Sequence, residues 1–285
     1  MTKQWYVTII TVILGGLLSA VPSRAAEREE KIINVGDTPT VTLINYSGSI
    51  SVRGWQKNFV KLIGVRHSDN VEIDIEASPN RVRITSHVLD KLTSSNKTRV
   101  DYRLFVPRKS HLKVRSNIGD VTVRNICGHV SVDVVEAAVS VAEVEGHINA
   151  YSLGRKVVKV LRSKGTIQAT TVSADILLEQ IESDNVKANS TLGNITYKGN
   201  FMDGGSYSLI STDGQISVHC LEEASVELDA RTVKGHIKSD LPIKSKKHRP
   251  LRLGRQSLLG TLNEGAATVH LSTFSGSIQI NRLLP

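Results

Sequence analysis

The chain has 285 residues, carries a formal net charge of +9, and is 40% hydrophobic but only 4% aromatic. That length holds one large or two small domains. So few aromatic rings leave a sugar-binding surface built on an aromatic platform poorly supplied, and the positive charge leans towards anionic polymers or membrane surfaces.

The first segment belongs to no domain. Lys3 gives a positive start, Trp5 to Val21 is apolar, and Ser23-Arg24-Ala25 followed by Ala26 offers small residues for cleavage. This is the pattern of a secretory signal peptide, here residues 1–25. The apolar run has seventeen residues, short of the ~20 that a spanning helix needs. Cleavage after Ala25 or Ala26 is therefore expected rather than a retained anchor. No later apolar stretch reaches spanning length, so no transmembrane span is expected after cleavage. The expected product is exported, either periplasmic or extracellular at the cell surface.

Residues 26–107 contain long alternating segments, TVTLINYSGSISV, NVEIDIEA, RVRITSHV and RVDYRLFVP, the pattern of half-buried strands. From residue 108 onward a shorter motif takes over: CGHVSV (127–132), EGHINA (145–150), KGTIQA (164–169), LGNITY (192–197) and DGQISV (213–218). In mid-chain the units start at 119, 128, 137, 146, 156, 165, 174, 184 and 193, a period of nine with an occasional extra residue. Side chains alternate along a strand. Val130, Val132, Val139, Val141, Ile148, Ile167, Ile195, Ile216 and Val218 should therefore point inward, and His129, Ser131, Asn149, Gln168, Thr196 and Ser217 outward. Glycine ahead of each unit suits a turn with positive φ or a close backbone approach.

Units this short cannot bury a face alone, but stacked copies share a core. The predicted fold is all-β: a single-chain β-solenoid or rolled β-sheet of ~9-residue G-x-[IV]-x-[VA] strand units, spanning 108–285 and closed by an N-terminal β cap over 26–107. A sandwich of short hairpins also spaces its turns, but hairpins rarely hold one period for so long. Gly128, Gly146 and Gly165 recur at eighteen to nineteen residues, which hints at two strands per coil and leaves three open. An oxidising compartment would allow Cys127 and Cys220 to pair. At least three coils, each about 4.8 Å, separate them in either register, beyond the roughly 7 Å Cα limit of a disulfide. Both are expected to be free thiols.

Chemical motifs are sparse. The recurrent aspartate of calcium-binding nonapeptides is missing, as are the nucleophile elbow, the zinc-protease signature and the phosphate loop. His129, His147 and His236 occupy one slot after the turn glycine. If two of them stack a strand spacing apart they could titrate together or hold a metal, although a solvated polar face is the simpler account. The carboxylates Asp120, Asp133, Glu143, Glu145, Asp175, Glu179, Glu182 and Asp184 are scattered, without the recurrence a glycan-cleaving cleft would need. The segment KSKKHRPLRLGR, within an interruption of the ladder at 241–260, gathers Lys244, Lys246, Lys247, Arg249, Arg252 and Arg255. Those six cations are the candidate ligand-binding residues; the alternative is a solvated connector.

The run VDYRLFVPRKSHLKVRSNIGDVTVRNICGHVSV, the repeats that follow, and GSYSLISTDGQISV together resemble the bacterial "putative adhesin" family of exported β-solenoid domains, over roughly residues 40 to 283. The shared signature is a Tyr-x-x-x-Val-Pro strand, here Tyr102 to Pro107, followed by a ladder of Gly-x-Ile-x-Val units. The resemblance implies the fold more than an activity, and some relatives resemble envelope-stress accessory proteins. The expected function is that of an exported, non-enzymatic, adhesin-like or scaffold protein presenting a polar surface at the cell envelope. Its rivals are an envelope-stress accessory protein that binds an anionic ligand, and a solenoid carbohydrate-active enzyme. No catalytic residue, cofactor or metal is expected. The expected partner is an anionic glycan or lipid of the envelope rather than nucleic acid, because export removes the opportunity and aromatic interleaving is missing.

Overall fold

A computed structural model describes residues 27–90, 95–245 and 256–283. The signal-peptide reading therefore lies outside the described residues, as do Lys246, Lys247, Arg249, Arg252 and Arg255. The N-terminal part runs β1 (Glu27–Asn34), β2 (Thr40–Ser47), β3 (Ile50–Trp55), β4 (Phe59–Arg66), β5 (Val71–Ser78) and β6 (Arg81–Val88). A 3-10 turn (Ser95–Thr98), β7 (Val100–Pro107) and β8 (His111–Ile118) follow. The ladder continues through β9 (Val121–Glu136), β10 (Val139–Ser152), β11 (Val158–Leu161), β12 (Ile167–Thr171), β13 (Ile176–Glu179), β14 (Asn185–Ser190), β15 (Ile195–Lys198), β16 (Ser206–Ser211) and β17 (Ile216–Cys220). The C-terminal part is β18 (Val226–Thr232), β19 (Ile237–Ser239), β20 (Lys244–Ser245), β21 (Gln256–Leu262), β22 (Ala267–Thr273) and β23 (Ile278–Arg282).

Each coil contributes two strands, so the register resolves to two per coil rather than three. One face carries β8, the second half of β9, the second half of β10, then β12, β14 and β16 in parallel. The other carries β3, the first halves of β9 and β10, then β11, β13, β15 and β17. Because β9 and β10 run unbroken around the corner, the two faces form one rolled sheet. Every residue expected to point inward, from Val130 to Val218, is at most 2% exposed. Parallel strands normally need covering on both sides; here the second face of the same sheet covers the apolar side, and short polar side chains coat the other.

The coils do not stack in sequence order at either end. β2 and β3 sit inside the stack: β2 lies between β6 and β8, and β3 between β7 and β9. The last two strands do the same, with β22 between β16 and β18, and β23 between β17 and β19. The region 26–107 thus supplies a coil of the ladder as well as its cap. The true ends are antiparallel: β1 on β4 and β5 on β6 at one end, β21 on β18 and β20 on β21 at the other. Charges on β1 (EREEK) and β5 (EIDIE), and the brevity of β19 and β20, discourage further strand addition.

Corner chemistry explains the glycines. Where the second face turns into the first, Asn125, Glu143, Arg162 and Gln180 stack with φ of 59°, 58°, 45° and 54°. At the opposite corner Gly193, Gly214, Gly276 and Gly235 line up, and a Cβ on any of the last three would sit 1.9–2.0 Å from the carbonyl oxygen of the glycine beneath it. Close approach, not a positive φ, demands glycine there. The same corner holds a column of buried hydroxyls. Ser190, Ser211, Thr273 and Thr232 each accept the N–H of the following turn glycine at 2.9–3.1 Å. Ser211, Thr273 and Thr232 also donate to a glycine carbonyl of the neighbouring coil at 2.9–3.1 Å. Each hydroxyl thereby satisfies backbone groups that a tight corner would otherwise leave unpaired.

Candidate functional site

The outward face shows what became of the sequence candidates. His129 and His147 do stack, with ring centroids 5.1 Å apart and planes 20° from parallel. His111 extends the column, its Nδ1 accepting the His129 N–H at 3.1 Å. Burial, then the neighbouring His147, His111 and Lys113, depresses the His129 pKa below its ordinary value. His236 stands apart at the other end of the stack, its ring 3.1 Å from the Gln256 amide. Among the described residues no group of three or more His, Cys, Asp or Glu is placed to hold a metal.

Most of the scattered carboxylates pair with cations along the stack. Glu145 binds Arg108 at 2.7 Å, Glu143 binds Arg162 at 3.1 Å, Asp120 binds Lys156 at 3.4 Å and Asp133 binds Arg115 at 3.5 Å. Asp175 accepts the Asn194 N–H at 2.7 Å. Exposed pairs of this kind contribute little individually, about 0–1 kcal/mol. Of the six candidate cations, Lys244 is exposed on β20 at the C-terminal edge, and the other five lie outside the described residues. A row of exposed apolar side chains, Tyr46, Val135, Leu153, Val172, Leu192 and Phe274, follows the corner where the first face turns into the second.

A depression with a topological cause lies at the other corner, near the N-terminal end. β3 dead-ends between two turns that close over it: the Trp55 carbonyl accepts the Arg108 N–H at 2.8 Å, and the Arg108 carbonyl accepts the Cys127 N–H at 2.7 Å. The chain cannot turn the corner there and leaves the stack to become β4. Asn125 fills the space beneath, its side-chain amide donating to the Gly54 carbonyl at 2.8 Å. What stands out is a cleft of about 330 Å³ lined by Asp37, Trp55, Gln56, Asn58, Pro107, Arg108, Lys109 and Cys127.

Aromatic rings gather here despite their scarcity. Trp55 stacks on Phe105 at 5.2 Å and 26°, and meets Phe59 edge-on at 4.6 Å. The indole N–H donates to the Phe59 carbonyl at 3.0 Å, which fixes the ring. The Lys57 ammonium lies 5.2 Å from the Trp55 centroid and 5.6 Å from that of Phe59, a cation–π arrangement. The Asn58 amide donates to Asp37 at 3.3 Å, and Arg108 Nε is buried without a hydrogen-bond partner. Sequence reading passed over this cluster because its members come from three separate turns. The only signal was Trp55, the one tryptophan besides Trp5 in a chain poor in aromatic residues.

Cys127 and Cys220 are both free, and burial pushes the Cys220 thiol up to about 11.

Three solved structures similar to this chain carry adhesion names of their own. A "putative adhesin" from Bacteroides fragilis is 12% identical over 90% of this chain and 97% of its own, with a TM-score of 0.44. Another from Parabacteroides merdae is 9% identical with the same coverage and a TM-score of 0.42. A "putative cell adhesion protein" from Clostridium sporogenes is 10% identical over 90% of this chain and all of its own, at 0.30. No curated protein matches. The Toastrack DUF4097 family model matches residues 38–281, nearly the whole described ladder with its out-of-order coils, and the chain belongs to that family.

Proposed function

We propose that this is an exported, non-enzymatic, adhesin-like scaffold of the cell envelope that binds an anionic polymer through its outward surface. The observation that carries the reading is a straight line of outward, mostly polar side chains on the second face. Ser51, Thr122, Ser140, Lys159, Leu177, Thr196 and Ser217 are in direct register, with Leu177 the one apolar member. At about 4.8 Å per strand, such a ledge suits an extended repetitive ligand better than a single reacting bond. Engagement of the carboxylates with cations supports a binding role over acid–base chemistry, which needs at least one free carboxyl pair. The basic segment from Lys244 to Arg255 adds long-range attraction for polyanions, and the signal-like residues 1–25 supply the route out of the cytoplasm.

The test is a glycan array and a lipid overlay with protein recovered from the exported fraction, its N-terminus read by mass spectrometry. Expected are a start at Ala26 or Glu27 and salt-sensitive retention of an anionic envelope ligand. Replacing Lys244, Lys246, Lys247, Arg249, Arg252 and Arg255 with serine should weaken that retention and leave the melting temperature unchanged. Cleavage of an arrayed glycan, or retention of none, overturns the reading.

A further inference from the structure

We propose that the cleft around Trp55 is a binding site for an acidic sugar residue, with the pyranose ring against the aromatic cluster and its acid group held by Arg108 and Lys109. This deepens the envelope-binding reading and rests on it.

Three features favour a sugar. The cleft, about 330 Å³, lies at the small end of the roughly 300–1,000 Å³ range of small-ligand sites, enough for the end of a saccharide chain and too little for an acyl tail. Trp55 is locked by its N–H bond and by two aromatic neighbours, so little side-chain entropy is lost when a ring packs against it. Gln56 and Asn58 flank it in the β3–β4 turn. The Gln56 amide offers two donors and an acceptor, and the Asn58 amide one donor and an acceptor besides its bond to Asp37, the complement of adjacent sugar hydroxyls; the second oxygen of Asp37 supplies a further acceptor.

Charge selects the acid. Lys57 lies over the indole and Arg108 and Lys109 line the cleft, against Asp37 as the one acid among the lining residues. Arg108 is oriented by Glu145, bound at 2.7 Å through Nη2, while its Nε remains buried and unpartnered. A buried donor of that kind is costly until it is satisfied, and a carboxylate or sulfate oxygen would satisfy it. The site forms where β3 ends against a closed corner, whereas the mostly polar ledge runs on from coil to coil. The geometry thus points to a fixed anchor for one acidic unit of a longer chain that lies along the ledge.

The experiment uses the full chain carrying Trp5→Phe, in which Trp55 is the sole tryptophan. Its emission is titrated with trigalacturonic acid, a sulfated disaccharide, the methyl ester of trigalacturonic acid and inorganic phosphate. Expected is a saturable change with the first two, weakened at least tenfold by the ester and absent with phosphate. Calorimetry on Arg108→Gln and Lys109→Ser should show at least a tenfold loss of affinity with the melting temperature kept. A Trp55→Phe variant, which keeps a ring in the corner, should bind several-fold more weakly. An equal response to phosphate and trigalacturonic acid overturns the sugar assignment. Undiminished binding by both cation variants overturns the site while leaving the envelope-binding reading intact, because that reading is tested separately by the glycan array and lipid overlay.

Discussion

At the scale of single residues, facing decides almost everything. Val139 is 1% exposed, and Ser140 next to it points outward between Thr122 and Lys159. Val139→Asp places an unpaired charge in the core and should cost more than about 3 kcal/mol. Ser140→Asp should stay within about 0.5 kcal/mol of the parent. Equal urea midpoints for the two variants would contradict the register.

Asp101 shows the same logic for charge. Burial opposes its ionisation, but hydrogen bonds from Arg99, Ser49 and His67 outweigh it and bring the carboxyl down to about 2. The Ser49 N–H and hydroxyl lie at 2.7 and 2.8 Å, and His67 Nε2 at 2.8 Å. A carboxyl depressed in the fold binds fewer protons there than in the unfolded chain, so its contribution is present above pH ~4 and lost as pH falls from about 3.8 to about 2. Urea unfolding at pH 6 and pH 3 should therefore show a larger acid loss for the parent than for Asp101→Asn. Identical losses would mean that the carboxylate does not tie the Gly48–Ser49 turn to its neighbours.

At the scale of elements, the buried hydroxyl column has one break. Ser116, Val134 and Ser152 are consecutive in register, and among the described residues the Ser116 and Ser152 hydroxyls are buried without partners. The isosteric Val134 between them has no oxygen to offer. Val134→Thr is usually unfavourable in a core, because the new hydroxyl needs a partner. Here it would meet one on each side. We expect a gain of about 1 kcal/mol, read as a higher urea midpoint with an unchanged slope; a lower midpoint would show that the three side chains do not meet.

At the scale of the whole molecule, the threading of the ends changes how the stack should fail. In a solenoid stacked in sequence order, loss of a terminal repeat shortens the array and leaves the rest folded. Here β22 and β23 lie between coils. Deleting residues 266–285 would strip β16 and β17 of their partners on one side and leave β18 to β21 with nothing to join them to the stack. The truncated chain should lose cooperative unfolding by circular dichroism; a sharp transition near the parent's melting temperature would refute the inserted arrangement.

The nine-residue alternation by itself determined the strand content, the inward and outward faces and the stacked architecture, because side-chain direction follows strand geometry residue by residue. The eighteen-residue recurrence of Gly128, Gly146 and Gly165 even hinted at two strands per coil, since close approach at a corner leaves no room for a Cβ. Only the tertiary structure decided which coil neighbours which. The units of β2–β3 and β22–β23 have the same pattern as any other, so periodicity cannot say that they are inserted out of order. The candidate cleft was hidden for the same reason: Asp37, Trp55 and Arg108 lie on three turns far apart in sequence, and they meet only because β3 runs into a corner already closed by its neighbours.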